Sequence, residues 1–153
     1  IIKIIIEKYG NQLSEKKQRI NYTETHDNLF INGDKDRIFE IFDNIISNAI
    51  KYSKDQSIIS ISVEELKKWV VVSVKDSGCG FSFFEKMRLF NEFTSLKNNP
   101  TGKEKKSGIG LYITKKLTTL HKGKIKVVTK KGNGSTFIIM LRKTQFSLTA
   151  LSW

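Results

Sequence analysis

The chain switches between two hydrophobic periods. Ile38, Ile41, Phe42, Ile45, Ile46 and Ala49 fall at i, i+3, i+4, i+7, i+8 and i+11, a single stripe on an α-helix. Asn32-Gly33 just ahead marks a turn and Asp34 is a good N-cap, so the helix is predicted to start there. Residues 1–8 repeat apolar positions at the same spacing, residues 111–120 form a third amphipathic helix, and a short helical stretch is predicted near 84–93. Period-two or β-branched runs predict strands over 19–24, 58–63, 69–74, 124–129 and 136–141, with a shorter one at 29–31. The 58–63 and 69–74 strands are joined through 64–68, and the last two through Lys130-Lys131-Gly132-Asn133-Gly134. Helices and strands mix without regular βαβ alternation. This predicts an α+β fold, a two-layer α/β sandwich whose mixed, mostly antiparallel sheet packs on about three helices.

With 153 residues, 39% of them hydrophobic, the chain suits one domain with its own core. The lone cysteine, Cys79, excludes an internal disulfide, and two histidines are too few for a Cys/His zinc cluster, so a reducing, cytoplasmic setting is expected. The apolar start is broken by Lys3 and followed by Glu7 and Lys8, too short to span a bilayer. Residues 1–17 read as a helical lead-in from a longer protein, and residues 143–153 as a tail without pattern. A net charge of +12 invites a nucleic-acid reading, but the lysines are spread over helices, strand ends and loops without a basic run or DNA-reading motif. A lysine-rich solvated surface is the expectation, with no nucleic-acid partner and no direct membrane contact.

On the central helix, Asn44, Asn48 and Lys51 fall within an arc of roughly 60°, away from the apolar stripe. Two carboxamides and an ammonium so aligned can offer oxygens to a hard cation such as Mg2+ and positive charge to phosphate. Alone, such an edge reads first as an ordinary solvated face. Its company changes the picture: Asp76-Ser77-Gly78-Cys79-Gly80 follows a strand, Gly108-Ile109-Gly110-Leu111 opens a helix, and Gly132-Asn133-Gly134-Ser135-Thr136-Phe137 leads into another strand. Glycine pairs permit close backbone approach, and a helix starting beside Gly110 offers free amides to an anion. Two commoner phosphate loops are absent. Gly102-Lys103 is followed by Glu104, with Lys97 where a P-loop needs its first glycine, and Gly78-x-Gly80 runs on to Phe83 where the dinucleotide fingerprint needs glycine. The polar segment 94–107, which holds the one proline, is long for a connection in a compact domain and is expected to be a mobile lid.

Taken in order, these motifs resemble the catalytic, ATP-binding domain of sensor histidine kinases, in the superfamily shared with gyrase, mismatch-repair and heat-shock chaperone ATPases. The segment from Asn44 to Ser53 resembles the asparagine box and Asp76 to Gly80 the first glycine box. Phe90-Asn91-Glu92-Phe93 resembles the phenylalanine box, Gly108 to Leu111 the second glycine box, and Gly132 to Phe137 the last. The resemblance implies a Bergerat-type fold holding ATP and Mg2+ between its layers under the lid. It implies Asn48 with Asn44 for the metal, Lys51 for phosphate, Tyr52 against the base and Asp76 for the adenine amino group. Gly78, Gly80, Gly108, Gly110, Leu111 and Thr136 would line the pocket. Thr94 and Ser95 stand where this family often has a phosphate-binding arginine, and Lys103, Lys105 or Lys106 could substitute. Cys79, inside the first glycine box, is expected to be a small filler.

Hydrolysing members of that superfamily carry a glutamate four residues before the metal-binding asparagine, and this chain has Asn44 there, which cannot act as a base. Transfer to a protein nucleophile is therefore expected, with Asn48, Asn44 and Lys51 as the catalytic set. Neither His26 nor His121 suits the phosphoacceptor role: the first ends a strand-like segment, and the second reads as structural or as a helix C-cap. The acceptor helix is expected to precede Ile1. The partners implied are the protein's own dimerisation and phosphoacceptor domain and a response regulator receiver domain, in a homodimeric parent that is cytoplasmic or a membrane-anchored sensor with this domain in the cytoplasm. A serine kinase of the same superfamily, an ATPase and a degenerate nucleotide-binding scaffold are the competing readings.

Overall fold

A computed structural model describes residues 1–26, 29–92 and 108–144. The elements in chain order are α1 (Ile2–Lys8), α2 (Gly10–Glu15), β1 (Arg19–Glu24), α3 (Lys35–Tyr52), β2 (Ile58–Leu66), β3 (Trp69–Lys75), α4 (Phe83–Arg88), α5 (Gly110–Leu120), β4 (Lys124–Thr129) and β5 (Ser135–Arg142). The five strands form one sheet in the order β1-β2-β3-β5-β4, parallel between β1 and β2 and antiparallel elsewhere. This is the mixed, mostly antiparallel sheet expected. Both chain-adjacent hairpins form as expected, although β2 runs on to Leu66, so that only Lys67 and Lys68 turn the chain into β3.

The helices cover one face of the sheet. Along β3 and β5 every second residue is buried: Val70, Val72 and Val74 on one strand, and Phe137, Ile139 and Leu141 on the other. They meet Ile38, Ile41, Phe42, Ile45, Ile46, Ala49 and Ile50 of α3, the stripe read from the sequence. α5 packs beside α3, and α1 lies against α3 with Ile2 and Ile5 buried. The Asp34 carboxylate accepts from the amides of Asp36 and Arg37 at 2.9 and 3.0 Å, which fixes the start of α3 where the sequence placed it.

Two expected elements contract. The strand at 29–31 is reduced to an isolated bridge between Ile31 and Lys143, because the Asn32-Gly33 turn follows at once and β5 supplies pairing groups only beyond its own end. The helix near 84–93 is a six-residue α4, opened by a reciprocal capping box between Ser82 and Glu85 and ended where Leu89 turns into the core. Of the tail at 143–153, Lys143 and Thr144 belong to this structured part, with Lys143 paired to Glu65 at 2.6 Å. The lid at 94–107, with Phe93, and residues 145–153 lie outside the described residues.

Candidate nucleotide site

The site residues stand along the C-terminal half of α3, which meets the start of α5 at Asn44 and the loop after β3 at Tyr52 and Ser53. Asp76, one residue past β3, is 9% exposed on the helix-covered side of the sheet. Its Oδ1 accepts from the Gly78 amide at 2.8 Å and the Ser135 amide at 3.2 Å, and the described residues place no donor on Oδ2. Burial pushes the Asp76 carboxyl above the ordinary carboxylate value, against the pull of those two amides. A buried carboxylate with one committed and one open oxygen is an acceptor built to meet a donor such as an exocyclic amine.

The Asp76 loop is locked onto α3 and onto the β4–β5 turn. A Cβ at Gly78 would stand 2.8 Å from the Tyr52 carbonyl oxygen, so glycine is what lets the loop lie against the last turn of α3. The Ser77 amide donates to Ser53 Oγ at 3.3 Å across the same contact. Gly80, at φ 61°, passes against the carbonyls of Lys130 and Gly134, while Gly134, at φ 80°, passes against that of Asp76. Thr129 Oγ1 donates toward the Gly134 carbonyl at 3.0 Å, receives the Phe81 amide at 2.9 Å and lies 2.9 Å from Ser135 Oγ. The first and last glycine motifs are thus one interlocked structure.

Asn44 faces the other glycine motif. Its Nδ2 reaches the Gly110 carbonyl at 3.5 Å, and a Cβ at Gly110 would lie 3.4 Å from Asn44 Oδ1. Gly108 turns the chain at φ 66° into α5, and among the described residues no side chain caps its first turn, where helix amides can meet an anion. Asn48, Lys51 and Tyr52 follow along α3, all half-buried, and Leu111 packs partly buried against the core. Thr136 is not brought in with them: it pairs with Lys75 on the sheet face turned away from the helices, and Ser135 is the residue that touches Asp76. Cys79 is an exposed residue, not a filler, and local desolvation pushes its thiol up, away from the nucleophilic thiolate.

Residues that could compete for chemistry are engaged elsewhere. Asp43 is paired with Lys8 at 2.8 Å and Glu40 with Arg37 at 3.2 Å. His121 forms the C-cap of α5, its Nδ1 meeting the Leu117 carbonyl at 2.8 Å and its Nε2 accepting the Asp34 amide at 3.2 Å. Together these contacts assign the proton to Nδ1. His26 is exposed in a bend just after β1. Among the described residues no three or more His, Cys, Asp or Glu are grouped so as to hold a metal ion. No helix among the described residues is long and apolar enough to cross a membrane.

Comparison with known proteins agrees with this geometry. Residues 33–145 match the family described as histidine kinase-, DNA gyrase B-, and HSP90-like ATPase. The chain is 33% identical to Histidine kinase P4 of Formosa agariphila over 92% of its own length, and 30% identical to Sensor protein SrrB of Staphylococcus aureus over 84%. It spans only 11% and 24% of those two proteins. The fold superposes on the nucleotide-free catalytic domain of histidine kinase ThkA with a TM-score of 0.81 at 24% identity, covering 93% of this chain and 90% of that one. It also matches full-length ShkA in complex with AMPPNP (TM-score 0.81, 21% identity, 95% of this chain and 30% of that one) and ThkA in complex with the response regulator protein TrrA (0.77, 24%, 94% and 39%). The chain therefore belongs to the histidine kinase-, DNA gyrase B-, and HSP90-like ATPase family.

Proposed function

We propose that this chain binds ATP with Mg2+ and, as part of a longer sensor histidine kinase, donates the γ-phosphoryl group to a histidine of a dimerisation domain outside this sequence. The observation that carries the reading is that α3 meets the start of α5 through Asn44 and, two turns on, the Asp76 loop through Tyr52 and Ser53. The open oxygen of Asp76 accepts the adenine amino group, and the Tyr52 ring lies against the base. Lys51 and the first amides of α5 offset phosphate charge.

Asn44 and Asn48, on one edge of α3, would hold a magnesium ion carried by its nucleotide through neutral carboxamide oxygens. When bound, the ion neutralises charge on the phosphate oxygens. An imidazole nitrogen attacks the γ-phosphorus, the new P–N bond forms as the bond to the β,γ-bridging oxygen breaks, and ADP leaves with that electron pair. Transfer is favoured over hydrolysis because Asn44 is not a base and the nearby carboxylates of Asp43 and Glu40 are held in ion pairs. The domain then faces the cytoplasm, where ATP is, and its homodimeric parent passes the phosphoryl group to a response regulator.

The test supplies the parent's histidine-bearing dimerisation segment together with labelled ATP and Mg2+. Acid-labile phosphohistidine is expected, lost in Asn48→Ala. Steady phosphate release by the chain alone, or label on serine of a protein partner, would instead favour the hydrolase or the serine kinase.

A further inference from the structure

The C-terminal end of α3 is closed from outside its own sequence. The last carbonyls of a helix lack intrahelical donors, and the frequent local remedy is a left-handed glycine just past the end. Here the C-cap is Ser53 in an extended conformation, φ −72° and ψ 149°. Lys16, between α2 and β1, reaches across to donate from Nζ to the carbonyls of Ile50 at 2.9 Å and Lys51 at 3.1 Å. Gln18 Nε2 lies 3.2 Å from each of the carbonyls of Ile50, Ser53 and Lys54. Both side chains are buried, and Gln18 commits its amide nitrogen to this end so fully that its Oε1 is left buried without a partner. An ammonium at this position also complements the negative end of the helix dipole.

The same turn also meets the Asp76 loop. Gly78 lies against the Tyr52 carbonyl and the Ser77 amide bonds Ser53, so the turn is held between the lead-in and the Asp76 loop with no room for a single Cβ. We propose that Lys16 and Gln18 are positioning residues of the nucleotide site, setting the direction of the last turn of α3 and with it the placement of Lys51 and Tyr52 relative to Asp76. The inference rests on the nucleotide reading above. It makes the lead-in a working part of the site: the segment that would join this domain to its phosphoacceptor also grips the site helix through the Lys8–Asp43 pair.

The experiment measures the affinity of Lys16→Met, Gln18→Leu and Lys16→Arg for ATP with Mg2+ by calorimetry, at a temperature where circular dichroism shows each to be folded. Lys16→Met should raise Kd about tenfold and Gln18→Leu about threefold, with Lys16→Arg within about twofold of the parent chain, since it keeps the charged donor. The ratio of affinities with and without Mg2+ should not change, because Asn48 and Asn44 lie one and two turns back from the closed end. A purely structural role would lower the melting temperature and leave the Kd of folded molecules at the parent value; that result overturns the proposal. Binding by the parent chain with unchanged Kd in both Lys16→Met and Gln18→Leu sinks the positioning role alone, whereas a parent chain that binds no ATP sinks the nucleotide reading with it.

Discussion

The two ends of α3 are built in opposite ways. Its first turn is closed at the surface by Asp34, which bonds amides two and three residues ahead. Its last turn is closed in the interior by Lys16 and Gln18, residues 32 to 36 positions away, and is pressed against the Asp76 loop. The Asp34 side-chain cap of the first end is local, one that would work on an isolated peptide, although the Asp34 amide also meets His121. The second exists only when three separate parts of the chain have met, and it is the end that carries the site. The difference teaches where substitutions should register: at the first end in stability alone, at the second in ligand recognition.

The largest effect is expected at Asp76. Asp76→Asn keeps an acceptor for the amides of Gly78 and Ser135 but can turn an NH2 toward the position of the open oxygen, so ATP affinity should fall about a hundredfold. The melting temperature should hold or rise, because burial raises the carboxyl pKa and makes its ionisation a cost to the fold. A raised pKa means that the contribution is fully present below the unfolded value and lost as pH rises through the folded one. The native chain should therefore gain on Asp76→Asn as pH falls through the carboxylate range, while its own nucleotide binding weakens; parallel melting curves across that range would break this account.

Next is Gly78→Ala, which drives a methyl group into the Tyr52 carbonyl. It should cost about 1–3 kcal/mol in denaturant melts and weaken ATP binding about tenfold, since loop and helix end must part. The smallest effect belongs to the locally capped end. Asp34→Ala should lower the melting temperature by roughly a few degrees and leave the Kd for ATP unchanged. The amides of Arg37 and Asp36 hold the Asp34 carboxyl below its ordinary value, so its contribution is present above the unfolded pKa and lost as pH falls through the folded one. The deficit of Asp34→Ala should accordingly close in acid. A change in Kd at Asp34 comparable with that at Gly78 would erase the contrast between the two ends.

Much of this architecture was legible in residue patterns because the patterns are local. The Asp34 cap, the apolar stripe of α3 and the alternation along β3 and β5 each follow from spacing within a few residues, and all are found in place. The glycine pairs were legible for a related reason: Gly80 and Gly134 hold positive φ where other residues would be strained, so their type announces their backbone. Thr136 shows the limit. In a strand one position decides the face, and the step from Thr136 to Ser135 is the step from the open side of the sheet to the side of Asp76. Lys16 and Gln18 carried no signal, and Ser53 and Ser135 stood only as unassigned members of their motifs, since a polar residue of ordinary type shows its role only through the partner it meets.

By itself the sequence determined the elements, their caps and the residue types able to hold an adenine nucleotide, because helix and strand periods and φ preferences are properties of neighbouring residues. Only the tertiary structure decided that β1 pairs in parallel with β2, that Asn44 faces Gly110, and that Lys16 and Gln18 close the end of α3 beside the Asp76 loop. Those are contacts across more than thirty residues, and they are settled by how apolar faces pack and how buried carbonyls find donors, which spacing along the chain does not record.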